Sequence, residues 1–280
     1  MVERRELYES CLKKLAEKGF DSADFDVSCI FSDVLQERSF IKNGAPVSDE
    51  NAERIRSMTE KYVSGYPLQY LLGKWEFYGL PFYVGEGVLI PRQDTETLVE
   101  FVINKLGKEK DLAGVDLCAG SGCIAIALDK KLECHITAIE KSETAFEYLE
   151  KNIRLNNSGI AALRADVLDE KISSGFRDLD FIVCNPPYLT KDDMENLQKQ
   201  VSYEPAEALF GGDDGCDLYR GIVRCWKRSL KAGGLICFEI GMGQEDEVSG
   251  ILIQHGFENV RFIKDYCGVY RVVYGYAQAE

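Results

Sequence analysis

Asn185-Pro186-Pro187-Tyr188 ends the apolar run Asp180–Cys184, and its residue types suit a planar amino group. The Asn185 side-chain oxygen and a proline carbonyl can accept both hydrogens of an –NH2 while the Tyr188 ring covers its flat face. Prolines lack an N–H and hold φ, so the carbonyls stand at a set angle. The nitrogen lone pair then points out of that plane, toward an electrophile. A strand end in an open α/β sheet is also where ligands bind. A Pro-Pro turn that merely closes a strand is the alternative reading.

A second candidate lies upstream, where Asp116-Leu117-Cys118-Ala119-Gly120-Ser121-Gly122 follows one apolar strand and opens a helix. Gly120 and Gly122 let the backbone approach a ligand, and a helix N-terminus favours an anion. It is not the dinucleotide Gly-x-Gly-x-x-Gly pattern, because Cys118 stands where a first glycine would be. Glu140 ends the next strand, near the roughly 20-residue spacing at which an acid takes ribose hydroxyls. Asp166 ends the strand after that, and its carboxylate or the adjoining Val167 backbone can reach an adenine amino group. Taken singly, these residues also fit a strand-to-helix turn and solvent-facing acids. Taken together, they read as a site for a nucleoside with a charged tail. Beside an amide clamp, that combination points to methyl transfer from S-adenosylmethionine, where the protein's main task is in-line positioning.

Composition narrows the setting. The chain has 280 residues, 45% hydrophobic and 29% charged, which is ordinary for a folded globular protein. No apolar run approaches the roughly 20 residues of a membrane span, and the N-terminus is not an apolar signal segment, so a cytoplasmic location is expected. A net charge of −14 argues against a partner held mainly through phosphates and suits a basic protein partner. The ten cysteines include no Cys-x-x-Cys pair and there are only two histidines, so reduced thiols and no metal site are expected. Nothing in the sequence demands more than a monomer.

The elements that must position these residues follow from periodicity. Leu7, Cys11, Leu12 and Leu15 recur at helical spacing, with Gly19 as a stop. Asp24 or Asp26 is expected to open a second helix through Leu35, and Ser48 to cap a third through Tyr62. The aromatic stretch from Gly73 to Val88, with Gly79 and Pro81 as turn residues, reads as a hairpin. Asp94 is expected to cap a helix running to Leu106. Strands are then expected at Gly114–Leu117, His135–Glu140, Ala162–Asp166, Asp180–Cys184, Gly234–Ile240, Val260–Lys264 and Val269–Tyr274. Their alternation with helical stretches predicts a parallel sheet of βαβ units. Asp265–Gly268 is too short for a crossover, so the last pair must be antiparallel.

These residues closely resemble the protein-(glutamine-N5) methyltransferases that modify peptide chain release factors. The likeness covers most of the chain: Pro67–Gly73, Glu76–Gly79, Leu89–Arg92 with Asp94–Glu96, Asp116–Ala125, Asn185–Tyr188, Tyr203–Pro205 with Ala208-Leu209, and Gly211–Gly215 with Tyr219-Arg220. It implies a Rossmann-like class I S-adenosylmethionine-dependent methyltransferase of α/β class. The sheet would be mostly parallel and seven-stranded, with an antiparallel final strand. The implied division is an N-terminal helical substrate-recognition domain at 1–72, a β-hairpin linker at 73–90 and the methyltransferase domain at 91–280. The implied acceptor is the glutamine of the Gly-Gly-Gln loop in class I release factors, with no nucleic-acid substrate. By position, Cys118 to Gly122, Glu140 and Asn185 would line the cofactor, and Asn185, Pro186, Pro187 and Tyr188 would hold the glutamine amide. Cys118 and Ala119 stand where the family commonly has glycine and threonine, and Val167 where some members carry a large aromatic.

Arg92 is expected to pair with Asp94 or Glu96 at the surface, with orientation of an acceptor loop as the alternative. The long connection Leu189–Cys216, which holds Glu204-Pro205, reads as a segment that closes over the acceptor. The competing functional readings are a nucleic-acid amino methyltransferase, which would need a basic face, and a catalytically silent cofactor-binding module, which would need a damaged acceptor tetrapeptide.

Overall fold

The structure, a computed structural model, describes residues 1–37 and 44–278; residues 38–43 and 279–280, inside the expected outer ranges, lie outside the described residues. Its contacts divide into two compact units, Met1–Lys74 with Gln198–Tyr203, and Trp75–Leu197 with Glu204–Glu280. No helix among the described residues is long and apolar enough to cross a membrane.

The first unit holds helices α1 (Arg4–Glu17), α2 (Ala23–Leu35), α3 (Asp49–Val63) and α4 (Leu68–Leu72). Leu7, Cys11, Leu15, Val27, Ile30, Phe31 and Ile55 form its core, as helical spacing requires. Ser48 caps α3 by accepting from the Asn51 N–H at 3.2 Å. α2, by contrast, opens at Ala23 without a side-chain cap. Both acids expected to cap it are engaged elsewhere: Asp24 accepts from the Tyr8 hydroxyl at 2.8 Å and Asp26 from the Tyr62 hydroxyl at 2.9 Å.

A hairpin follows, of β1 (Lys74–Phe77), whose residues from Trp75 on belong to the second unit, and β2 (Leu80–Tyr83). Tyr78 and Gly79 both have positive φ, the turn whose twist matches two antiparallel strands. Helix α5 (Glu96–Leu106) follows a 3-10 turn at Gln93–Thr95. Asp94 does not cap it; the carboxylate pairs instead with Arg271 at 3.0 Å.

Then come β3 (Leu112–Leu117), α6 (Cys123–Asp129), β4 (Cys134–Glu140), α7 (Glu143–Leu155), β5 (Ala161–Arg164), α8 (Glu170–Ser173) and β6 (Leu179–Cys184). They are followed by α9 (Lys191–Glu195), α10 (Asp217–Trp226), β7 (Leu230–Glu239), α11 (Glu245–Gln254), β8 (Phe257–Lys264) and β9 (Tyr270–Ala277). The seven-stranded sheet runs β5-β4-β3-β6-β7-β9-β8. β9 inserts antiparallel between β7 and β8, and the pairs from β5 to β7 are parallel.

Strand side chains alternate between two cores. Phe181 and Val183 join Leu98, Ile124 and Leu149 on one face, and Ile182 and Cys184 join Tyr219, Trp226 and Val248 on the other. Chain order moves outward from β3 through β4 and β5, then crosses to β6. The reversal falls between β3 and β6, and Leu117 pairs there with Cys184. A crevice at that switch point is the expected ligand site.

Candidate active site

One cavity opens at the carboxyl edge of the sheet, entirely within the second unit. Its lining includes Cys118, Ala119, Gly120, Ser121, Glu140, Asp166, Val167, Asn185 and Pro187 from among the residues expected to act. Two features far apart in sequence therefore share one chamber: the turn after β3 and the start of the tetrapeptide after β6.

The turn has a specific construction. Cys118, Gly120 and Gly122 all have positive φ. At Gly122 a side chain would meet the Leu149 methyl at 2.4 Å, so glycine there answers both a backbone and a packing demand. Asn152, buried on α7, donates to the Ser121 carbonyl at 2.9 Å and to the Tyr83 carbonyl at 3.1 Å, and its oxygen accepts from the Tyr83 N–H at 2.6 Å. One amide thus ties the hairpin to the back of the turn.

Glu140 closes the turn from the next strand. Its two oxygens accept from the Gly120 N–H at 2.8 Å and the Ser142 N–H at 2.7 Å. Burial pushes its carboxyl above the usual carboxylate range, and those N–H groups pull it part of the way back. Asp166 accepts from the Leu168 N–H at 2.9 Å and pairs with Lys141 at 2.8 Å. Burial would push its carboxyl up, but Lys141 and the Leu168 N–H outweigh this and hold it below the usual range. The Val167 carbonyl accepts from the buried Trp226 indole at 2.7 Å, which fixes the segment that continues the wall.

Asp116 and Gly122 do not line the chamber. Asp116 is fully buried behind the turn, accepting from the Ala125 N–H at 3.1 Å while its Oδ1 has no partner among the described residues. Burial pushes its carboxyl up to about 8.

In the tetrapeptide, the Asn185 amide donates to the Thr95 hydroxyl oxygen at 3.3 Å, and Thr95 also lines the chamber. Pro186 is buried. Tyr188 does not line the chamber; its ring packs against the core that holds Tyr219 and Phe238. Its carbonyl accepts from the Gln244 side chain at 3.0 Å, and Gln244 in turn accepts from the Gly241 N–H at 2.9 Å. Gly211 leaves no room for a side chain, since a Cβ would stand 2.6 Å from the Pro187 carbonyl.

The expected surface pair of Arg92 with Asp94 or Glu96 is not formed. Arg92 lines the chamber and pairs with Glu204, whose second oxygen accepts from the Ile90 N–H at 3.0 Å. The competing acids are taken: Asp94 by Arg271, and Glu96 by the Tyr78 N–H at 2.8 Å. The long connection after β6 carries α9, capped reciprocally by Thr190 and Asp193, and two 3-10 turns. Asn152 and Gln244 give no signal in the sequence, and Thr95 none beyond its place in the Asp94–Glu96 likeness, because an isolated polar residue in a helical or loop stretch carries no periodic signal.

These residues fit an adenosyl ligand with a charged tail. A strand-end carboxylate faces the chamber where a diol would lie, and Ala145, Val167 and Leu168 add apolar wall for a base. The glycine turn leaves backbone exposed beside them.

Comparison with known proteins bears on the family and the fold. Residues 6–73 match the family model described as the PrmC N-terminal domain, and 92–212 match the Methyltransferase small domain. A release factor glutamine methyltransferase of Thermodesulfovibrio yellowstonii is 40% identical over 235 residues, spanning 81% of this chain and 82% of the relative. One from Clostridium botulinum is 36% identical over 266 residues, spanning 92% of this chain and 94% of the relative. Among solved structures, the hMettl16 catalytic domain superposes with a TM-score of 0.60 at 17% identity, covering 89% of this chain and 92% of that one. A methyltransferase from Pyrococcus furiosus gives a TM-score of 0.53 at 17% identity, covering 81% and 98%. At those identities the two structures bear on the fold alone.

Proposed function

The chain belongs to the release factor glutamine methyltransferase family, and on that footing we propose that it methylates the side-chain amide nitrogen of the glutamine in the Gly-Gly-Gln loop of class I peptide chain release factors. The observation that carries this reading is the shared chamber of the glycine turn, Glu140, Asn185 and Pro187. S-adenosylmethionine, when bound, supplies an electrophilic methyl group on a sulfonium.

The chain's own residues do the positioning. Cys118 to Ser121 of the turn and the Glu140 carboxylate hold the nucleoside, with Asp166 and Val167 beside the base. Asn185, with its amide N–H committed to Thr95, keeps its oxygen free to accept from the glutamine –NH2. A proline carbonyl accepts the second hydrogen. Both hydrogen bonds raise electron density on a nitrogen whose lone pair is otherwise delocalised, and they aim it at the methyl group. The helical first unit is the surface we assign to the body of the release factor, and the protein's net charge of −14 suits a basic partner.

The test offers purified protein and labelled S-adenosylmethionine to a release factor, total RNA and DNA in separate reactions. Label is expected on the release factor and is lost when its loop glutamine is replaced. Label confined to nucleic acid overturns the reading.

A further inference from the structure

Beneath the tetrapeptide lies a buried acid that methyl transfer, as described above, leaves unused. Glu239 ends β7, next to the pairing of Phe238 with Cys184, so it stands beside Asn185 at the carboxyl edge of the sheet. It is 2% exposed. The backbone there is fixed, because the buried Tyr219 hydroxyl donates to the Glu239 carbonyl at 2.8 Å. The side chain faces Thr95 and Asn185. Burial pushes its carboxyl up to about 7, against the pull of the Thr95 hydroxyl, Arg271 and the Asn185 amide. Its Oε2 has no hydrogen-bond partner among the described residues.

An ionised carboxylate can only accept. When Glu239 is ionised, the Thr95 hydroxyl that faces it can only donate to it, which leaves the Thr95 oxygen as an acceptor. Asn185 answers by turning its –NH2 inward, donating to Thr95 at 3.3 Å. Its carbonyl oxygen is then directed away from this pair. An asparagine amide turned the other way would present donors to a substrate –NH2, and two donors repel. We propose that Glu239 and Thr95 are positioning residues that set the orientation of the Asn185 amide, and so make the site selective for an acceptor that offers N–H groups. This rests on the reading that Asn185 holds the acceptor amide.

The experiment compares Thr95→Val, Thr95→Ser and Glu239→Gln with the natural protein, measuring turnover on release factor and affinity for S-adenosylmethionine. Thr95→Val keeps the shape but removes the hydroxyl, and its kcat is expected to fall about 10- to 100-fold, the scale of a misplaced positioning group. Its cofactor Kd is expected to stay within about threefold, so the loss falls on kcat, as for an interaction made at the acceptor. Thr95→Ser, which keeps the hydroxyl, recovers most of the lost turnover. Glu239→Gln lets the hydroxyl reverse and lowers kcat in the same direction. Normal turnover in Thr95→Val, or equal losses in Thr95→Val and Thr95→Ser, overturns the inference while leaving the functional reading intact. An inactive natural protein overturns both.

Discussion

The Trp226 indole donates to the Val167 carbonyl at 2.7 Å, joining the last turn of α10 to the wall of the active chamber. Trp226 is fully buried. The bond supplies a donor to a carbonyl just past the end of β5, where the ladder no longer does. Trp226→Phe removes that donor, and an unsatisfied buried carbonyl costs about 1–3 kcal/mol. Denaturant unfolding is expected to show a loss of that size, and calorimetry a weaker hold on S-adenosylmethionine. Unchanged cofactor affinity would mean that this segment is anchored for folding alone.

Asn185→Ala is expected to abolish methyl transfer while leaving the cofactor Kd within about tenfold, because the lost oxygen serves the acceptor. Single-turnover transfer with saturating cofactor checks this directly. Turnover near the natural rate would show that the amide clamp lies elsewhere.

Gly122→Ala asks for a side chain at φ +81°, with its Cβ 2.4 Å from the Leu149 methyl. Strain of this type costs about 1–3 kcal/mol, and relief by moving Leu149 would shift α7 against the turn. Lower thermal stability and weaker cofactor binding are expected together. A variant as stable as the natural protein would contradict the packing described for the turn.

Asp116 makes stability depend on pH. Its carboxyl is raised to about 8 in the folded state, chiefly by burial, against about 4 unfolded. The folded protein therefore holds this proton where the unfolded chain has released it. Its contribution is full below about pH 4 and is lost as pH rises through about 8, at up to about 1.4 kcal/mol per pH unit. Asp116→Asn keeps an acceptor for the Ala125 N–H and removes the titration. Its urea midpoint is expected to fall less than the natural protein's between pH 5.5 and 8, and equal slopes would assign the effect to other groups.

Local chemistry carried a large part of this protein in the sequence. The strand ending in Asn185-Pro186-Pro187-Tyr188, the glycine turn after β3 and the acid at the end of β4 each depend on neighbours in the chain, so alternation and turn residues report them. The short link Asp265–Gly268 likewise dictated an antiparallel partner, because no crossover fits in it. Tertiary structure alone decided what meets what. Arg92 finds Glu204, Asp94 finds Arg271, and Asn185 turns its amide to Thr95, ninety residues away. It also seats β9 between β7 and β8 and withdraws Asp116 from the chamber it borders. Glu239 bore the same visible mark as Glu140, a carboxylate closing an apolar strand. Only the register of the sheet sets one on the chamber wall and the other under the tetrapeptide. Pairings of this kind come from the crossing of distant elements and the exclusion of water between them, and no period along the chain encodes either.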